Sequence, residues 1–77
     1  MDTNKRVTTV VQSVAEKKIP LDEEESLFDS GVLDSFALPE LVSALEKEFR
    51  IEIPDSDLNP RKFETLARIT EYIESKI

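Results

Sequence analysis

Seventy-seven residues, a formal net charge of −7, no cysteine and no histidine bound what this chain is able to do. Without cysteine, neither a disulfide nor a thiolate metal site supports the fold; without histidine, the usual general base and the commonest metal ligand are missing. A chain this short makes one domain, residues 1–77, and buries only about 60% of its unfolded surface.

No apolar run approaches the roughly 18 residues of a membrane span. The N-terminus, Met1-Asp2-Thr3-Asn4-Lys5-Arg6, lacks the apolar region of a signal peptide. The expected state is a cytoplasmic monomer. Charge is uneven along the chain: residues 1–21 sum to +2, residues 22–57 to −10 and residues 58–77 to +1. An acidic middle third repels nucleic acid and anionic membrane, and attracts basic protein surfaces.

The apolar spacing predicts helices. The first runs from Asp2 or Thr3, either of which suits a cap, to Lys17. Val7, Val10, Val11, Val14 and Ala15 form its apolar stripe. Its four valines lower helix propensity, so packing must hold it, and Lys17 and Lys18 suit the negative pole at its end. Pro20 closes that region. A long acidic connection follows, with Leu27, Phe28, Val32 and Leu33 as anchors and Gly31 in a positive-φ turn.

The second helix starts at about Ser35 or Phe36 and ends near Phe49 or Arg50. Leu38, Leu41, Val42, Leu45 and Phe49 face the core, with Glu40, Ser43 and Lys47 opposite. Pro39 either loosens the first turn or stands as the first residue of the regular helix. Phe36 falls among the exposed positions. Either its ring tucks back, or it is a lone apolar group beside carboxylates that a partner can grip. One short helical turn fits before Pro60, with Asp55 or Ser56 as its cap, and Phe63 enters the core. The last helix begins after Thr65 as cap and runs to about Lys76, burying Leu66, Ile69, Tyr72, Ile73 and Ile77. The expected fold is all-α: a four-helix bundle with three main helices and one short third helix.

Few constellations carry chemistry. One glycine cannot build a phosphate loop, and the acids Asp22, Glu23, Glu24, Glu25 and Asp29 do not match a calcium-loop spacing. An enzyme that holds a metal with those acids is the weakest reading. Asp34-Ser35 alone is ordinarily a helix cap. Its surroundings say more. A pinned acidic loop leads to Gly31-Val32-Leu33-Asp34-Ser35-Phe36, then to an acid-flanked helix ending Leu45-Glu46-Lys47-Glu48-Phe49-Arg50-Ile51-Glu52-Ile53-Pro54. A Thr-capped Leu66 and Tyr72-Ile73 complete the layout.

This layout resembles the acyl carrier protein family, which includes the peptidyl carriers of peptide synthetases and the D-alanyl carriers. The resemblance covers essentially the whole chain and is strongest over residues 27–54. It implies an acyl-carrier-like four-helix bundle with no catalysis of its own. It also implies 4′-phosphopantetheine on Ser35, next to the motif residue Asp34, donated by coenzyme A through a separate transferase. Acyl, aminoacyl or peptidyl cargo then rides as a thioester on that arm. The implied partners are the phosphopantetheinyl transferase, a loading enzyme and a downstream synthase or transferase. They would dock a basic surface on Phe36, Glu40 and Glu46. A phosphodiester at this point is expected to meet the free amides and positive pole of a helix start. Phe36 stands where the family usually has Leu or Met, Pro39 sits in the first turn, and Lys47 interrupts the acidic face. The lead-in Gly31-Val32-Leu33-Asp34 looks closest to standalone peptidyl or D-alanyl carriers. Leu41, Val42, Leu45 and Phe63 are candidates to line a cargo cavity; the alternative, favoured before loading, is a fully packed core with no room. The competing reading is a small acidic helical interaction module that carries no arm.

Overall fold

A computed structural model describes residues 3–15, 17–19, 22–34 and 36–77. Asp2, Pro20 and Ser35, on which parts of the sequence reading fall, lie outside the described residues. Among the described residues three α-helices carry the fold: α1, Thr3–Val14; α2, Ala37–Phe49; and α3, Leu66–Glu74. The described residues form no strand. Where the sequence predicts one short helix, two single 3₁₀ turns stand, Asp55–Asp57 and Pro60–Phe63.

The core draws on most of each predicted stripe. Val7, Val10 and Val11 of α1 meet Leu38, Leu41, Val42, Leu45 and Phe49 of α2, and Leu66, Ile69 and Ile73 of α3, all buried. α1 packs on both other helices. Val14, Ala15 and Tyr72 are only partly covered. Ile77 is 62% exposed, against the expectation that it ends the α3 stripe. The α-helix stops at Glu74, so Ile77 lies beyond the turns that would carry it inward.

Arg6 clamps α1 to α2. Its Nε lies 2.9 Å from Glu48 Oε2, and its Nη2 donates to the Glu48 carbonyl at 2.7 Å. The guanidinium also stacks 4.4 Å above the Phe49 ring centroid.

α1 ends three residues before the predicted Lys17. A side chain decides this. Gln12 donates from Nε2 to the Lys17 carbonyl at 3.2 Å, and its Oε1 accepts from Ile19 N–H at 3.2 Å. The backbone groups at 17 and 19 are thereby drawn back against the helix instead of extending it. Lys17 and Lys18 consequently lie past the last turn of α1.

α2 closes on Arg50, which adopts a left-handed conformation (φ 55°, ψ 49°). Arg50 N–H and Ile51 N–H both donate to the Glu46 carbonyl, the latter at 3.2 Å. This is the geometry in which glycine is favoured. Arg50→Gly is therefore expected to raise stability by about 0.5–1 kcal/mol, read as a higher urea midpoint.

Neither Asp55 nor Ser56 caps a helix, contrary to expectation: the first 3₁₀ turn has Pro54 at its N-cap position and no side-chain cap. Asp57 instead ties that turn to α3. Tyr72 Oη donates to Asp57 Oδ2 at 2.6 Å, Lys62 Nζ donates to Oδ1 at 3.1 Å, and Lys76 Nζ lies 3.6 Å from Oδ2. The second turn is capped by Asn59, whose Oδ1 accepts from Arg61 N–H at 2.9 Å, with Pro60 in its first position. Thr65 caps α3 as predicted, accepting from Arg68 N–H at 3.1 Å.

The Tyr72 hydrogen bond, followed by that of Lys62, holds the Asp57 carboxyl below its ordinary value. Burial, followed by the Asp57 carboxylate, pushes the Tyr72 hydroxyl up to about 12. The raised tyrosine keeps its proton in the folded chain after the unfolded chain has lost it. Its contribution is complete below the ordinary value of 10.0 and lost as pH rises through about 12. Urea midpoints of wild type and Tyr72→Phe should therefore converge between pH 10 and 12, because only the wild type loses this contribution there.

Candidate functional site

The long connection is pinned as its apolar residues predict. Leu27, Val32 and Leu33 are buried and Phe28 is partly covered. Leu27 N–H donates to the Glu64 carbonyl at 2.7 Å, and Ala67 N–H donates to the Glu23 carbonyl at 3.2 Å, so the loop hangs on the second 3₁₀ turn and α3. Leu33 N–H returns to the Leu27 carbonyl at 2.9 Å, and Gly31 turns the chain at φ 81°. Each of these bonds satisfies backbone that a covered loop would otherwise leave unpaired.

Beyond the buried Leu33, Asp34 and Phe36 emerge into solvent. Asp34 is exposed and reaches forward: its Oδ1 accepts from Phe36 N–H at 3.0 Å and from Ala37 N–H at 2.9 Å. Asp34 thus supplies the capping oxygen, one residue earlier than a cap at Ser35 would stand. Phe36 occupies the N-cap backbone position in αR geometry without offering a side-chain cap. The regular helix begins at Ala37, between the two starts weighed from sequence. Pro39 is then the third helical residue, where an N–H would have no intrahelical partner, and its ring costs the helix no hydrogen bond.

Phe36 is 90% exposed, so its ring does not tuck back. Glu40 is exposed on the same helix. Glu46 is half-buried, and its Oε2 accepts from Ile53 N–H at 2.8 Å, fastening the exit of α2. Lys47 faces solvent.

A cleft of about 260 Å³ opens beside the junction, lined by Lys17, Gly31, Val32, Asp34, Phe36 and Glu40 among others. A larger cleft of about 670 Å³ between α1 and the loop, lined by Thr8, Gln12, Ile19, Glu23 and Leu66 among others, shares no lining residue with it. Size alone does not select the site. Leu41, Leu45 and Phe63 are fully buried and Val42 is 6% exposed. These four candidates for a cargo cavity are core residues, and none lines either cleft.

One expectation about chemistry changes. The amides at the start of α2 are largely committed, since those of Phe36 and Ala37 go to Asp34 and Pro39 has none. Nor do the loop acids gather: among the described residues no three His, Cys, Asp or Glu side chains converge as a metal ion requires. Asp22 instead accepts from Glu24 N–H at 2.9 Å, and Glu23 accepts from Asn4 Nδ2 at 2.6 Å.

The described residues are helical and without strands, with a pinned acidic loop leading to an exposed, Asp-capped helix start. Residues 5–73 match the family described as phosphopantetheine attachment site, and the chain belongs to that family of non-enzymatic carrier proteins. It is similar to the D-alanyl carrier protein of Lactobacillus acidophilus, 28% identical over 75 residues that make up 97% of this chain and 95% of that one. The D-alanyl carrier protein of Leuconostoc mesenteroides is 29% identical over 77 residues, 100% of this chain and 99% of that one. That of Streptococcus pyogenes serotype M1 is 39% identical over 51 residues, 66% of this chain and 65% of that one.

The prosthetic group of the family is phosphopantetheine. The residues present fit it. The junction is open to solvent on both sides of Ser35, at Asp34 and Phe36, and a cation, Lys17, lines the adjoining cleft. Among the described residues, no helix is long and apolar enough to cross a membrane.

Proposed function

We propose that residues 1–77 act as one carrier domain, and that Ser35 is its attachment point for 4′-phosphopantetheine. A phosphopantetheinyl transferase moves the group from coenzyme A. The Ser35 hydroxyl gives its proton to a base of the transferase, and its oxygen bonds to the pantetheine-side phosphorus. The P–O bond to the bridging pyrophosphate oxygen breaks, and 3′,5′-adenosine bisphosphate leaves. The bound arm supplies the thiol that the cysteine-free chain lacks, and cargo is held there as a thioester. The cargo favoured here is D-alanyl, because the relatives above carry that name over nearly the whole length of this chain. The fold is the carrier bundle with the two 3₁₀ turns in the place of the short third helix, and the protein works as a cytoplasmic monomer.

The observation that carries this reading is the exposed pair Asp34 and Phe36, set at the start of α2 in a family defined by arm attachment. Its test is an intact mass after incubation with coenzyme A and a promiscuous transferase. The expected result is a gain of one phosphopantetheinyl group, mapped to the peptide containing Ser35. An unchanged mass, or a gain mapped to Ser26, Ser30 or Ser43, overturns the assignment.

Phe36, Glu40 and Glu46 are proposed to meet the basic surfaces of the transferase, the loading enzyme and a downstream acceptor enzyme. Glu40→Lys is expected to slow loading several-fold at low salt and by less at high salt, as measured by single-turnover transfer. Glu46→Lys is a less clean test because Glu46 also holds Ile53.

A further inference from the structure

A phosphodiester at Ser35 adds negative charge where negative charge already stands. Asp34 and Glu40 both line the adjoining cleft. The usual compensation, a set of free amides at a helix start, is mostly spent. Phe36 and Ala37 N–H are held by Asp34 Oδ1, and Pro39 has no N–H, so the first helical turn offers at most the Leu38 amide.

Among the described residues, one cation lines the cleft, Lys17. Its Nζ lies 3.2 Å from the point that a Cβ on Gly31 would occupy, so the ammonium group rests over a glycine whose missing side chain gives it room. No carboxylate among the described residues forms an ion pair with it. The backbone at Lys17 is fixed by the Gln12 amide, which donates to the Lys17 carbonyl at 3.2 Å. The side chain is thus rooted just past the end of α1, and its charge is delivered across the loop to the start of α2.

We infer that Lys17 is the positioning residue for the phosphodiester of the arm: its ammonium pairs with the phosphate on Ser35 and fixes the direction in which the arm leaves the protein. This rests on attachment at Ser35. It also gives the break of α1 at Val14 a use, because a helix continued to Lys17 would not be turned back by Gln12. A cation placed by the helix exit does what the capped amides no longer do.

The test compares apo and arm-loaded forms of the wild type, Lys17→Gln, Lys17→Arg and, as a control, Lys18→Gln. Lys18 lines the larger cleft, away from the junction. Intact mass first establishes that each form carries the arm. The Lys17 side-chain amine signals in ¹H–¹⁵N spectra should shift on loading, while those of Lys18 stay in place. The ³¹P resonance of the loaded protein should move in Lys17→Gln, return in Lys17→Arg, and lose its dependence on Lys17 as salt is raised. The difference in Tm between loaded and apo forms should fall in Lys17→Gln alone. An arm-loaded protein with unshifted Lys17 signals and the same ³¹P resonance in Lys17→Gln overturns the inference and leaves the attachment standing. A protein that accepts no arm overturns both.

Discussion

Ser35→Ala is expected to abolish arm attachment completely while leaving the fold within about 0.5 kcal/mol of wild type. The two effects are expected to be separable because, among the described residues, the amides of Phe36 and Ala37 are capped by Asp34, at 3.0 Å and 2.9 Å. Asp34→Ala is the complementary variant. It removes those bonds and a negative charge from the positive pole of the helix, at a cost of about 1 kcal/mol. It should lower the urea midpoint and still accept the arm, more slowly, because the start of α2 is less well ordered. Urea denaturation and intact mass on the two variants give opposite patterns: stability kept and loading lost for Ser35→Ala, stability lowered and loading kept for Asp34→Ala. If Ser35→Ala cost as much stability as Asp34→Ala, the division of labour between the two neighbours would be wrong. Loading that persisted in Ser35→Ala would move the attachment elsewhere.

The Asp34 cap was not legible in the sequence, although much around it was. Helical spacing alone located the apolar stripes, because the 3.6-residue period is imposed by the backbone and needs no knowledge of partners: Val7, Val10 and Val11, and Leu38, Leu41, Val42, Leu45 and Phe49, are buried where the pattern puts them. Gly31 and Thr65 were also readable, since a positive φ and a helix cap are local demands met by few residue types. Choosing between Asp34 and Ser35 as cap turns on one residue of register, and both side chains are competent. The end of α1 depends on Gln12 reaching five and seven residues ahead, a contact that periodicity does not encode. The Asp57 junction joins residues 15 apart in sequence, and the Glu46–Ile53 bond forms only after α2 has turned out at Arg50. At the site itself, the motif came from sequence pattern, which left open whether the Phe36 ring tucks back; the structure leaves it 90% exposed. The committed amides and the Lys17 ammonium over Gly31 came from how loop and helix meet.

Phe63→Ala is expected to bring the chain to the edge of unfolding. The ring is fully buried and meets Tyr72 edge-on, with centroids 5.4 Å apart and planes at 63°. Truncating such a ring removes its transfer energy, leaves a cavity and forfeits the aromatic pair, together about 3–5 kcal/mol. A domain of this length is stable by about 4–12 kcal/mol in all. The loss would also travel toward the site. Phe63 is carried by the second 3₁₀ turn, and the next residue, Glu64, holds the loop through the 2.7 Å bond from Leu27 N–H. Phe63→Leu keeps most of the volume and should cost much less, about 1–2 kcal/mol, while still loosening that bond. Urea denaturation followed by circular dichroism measures the first effect, and amide exchange at Leu27 in Phe63→Leu measures the second. Faster exchange at Leu27 with unchanged exchange in α1 would place the loop that leads to Asp34 under the control of this one ring. Equal slowness in wild type and variant would mean that Leu27, Val32 and Leu33 anchor the loop by themselves.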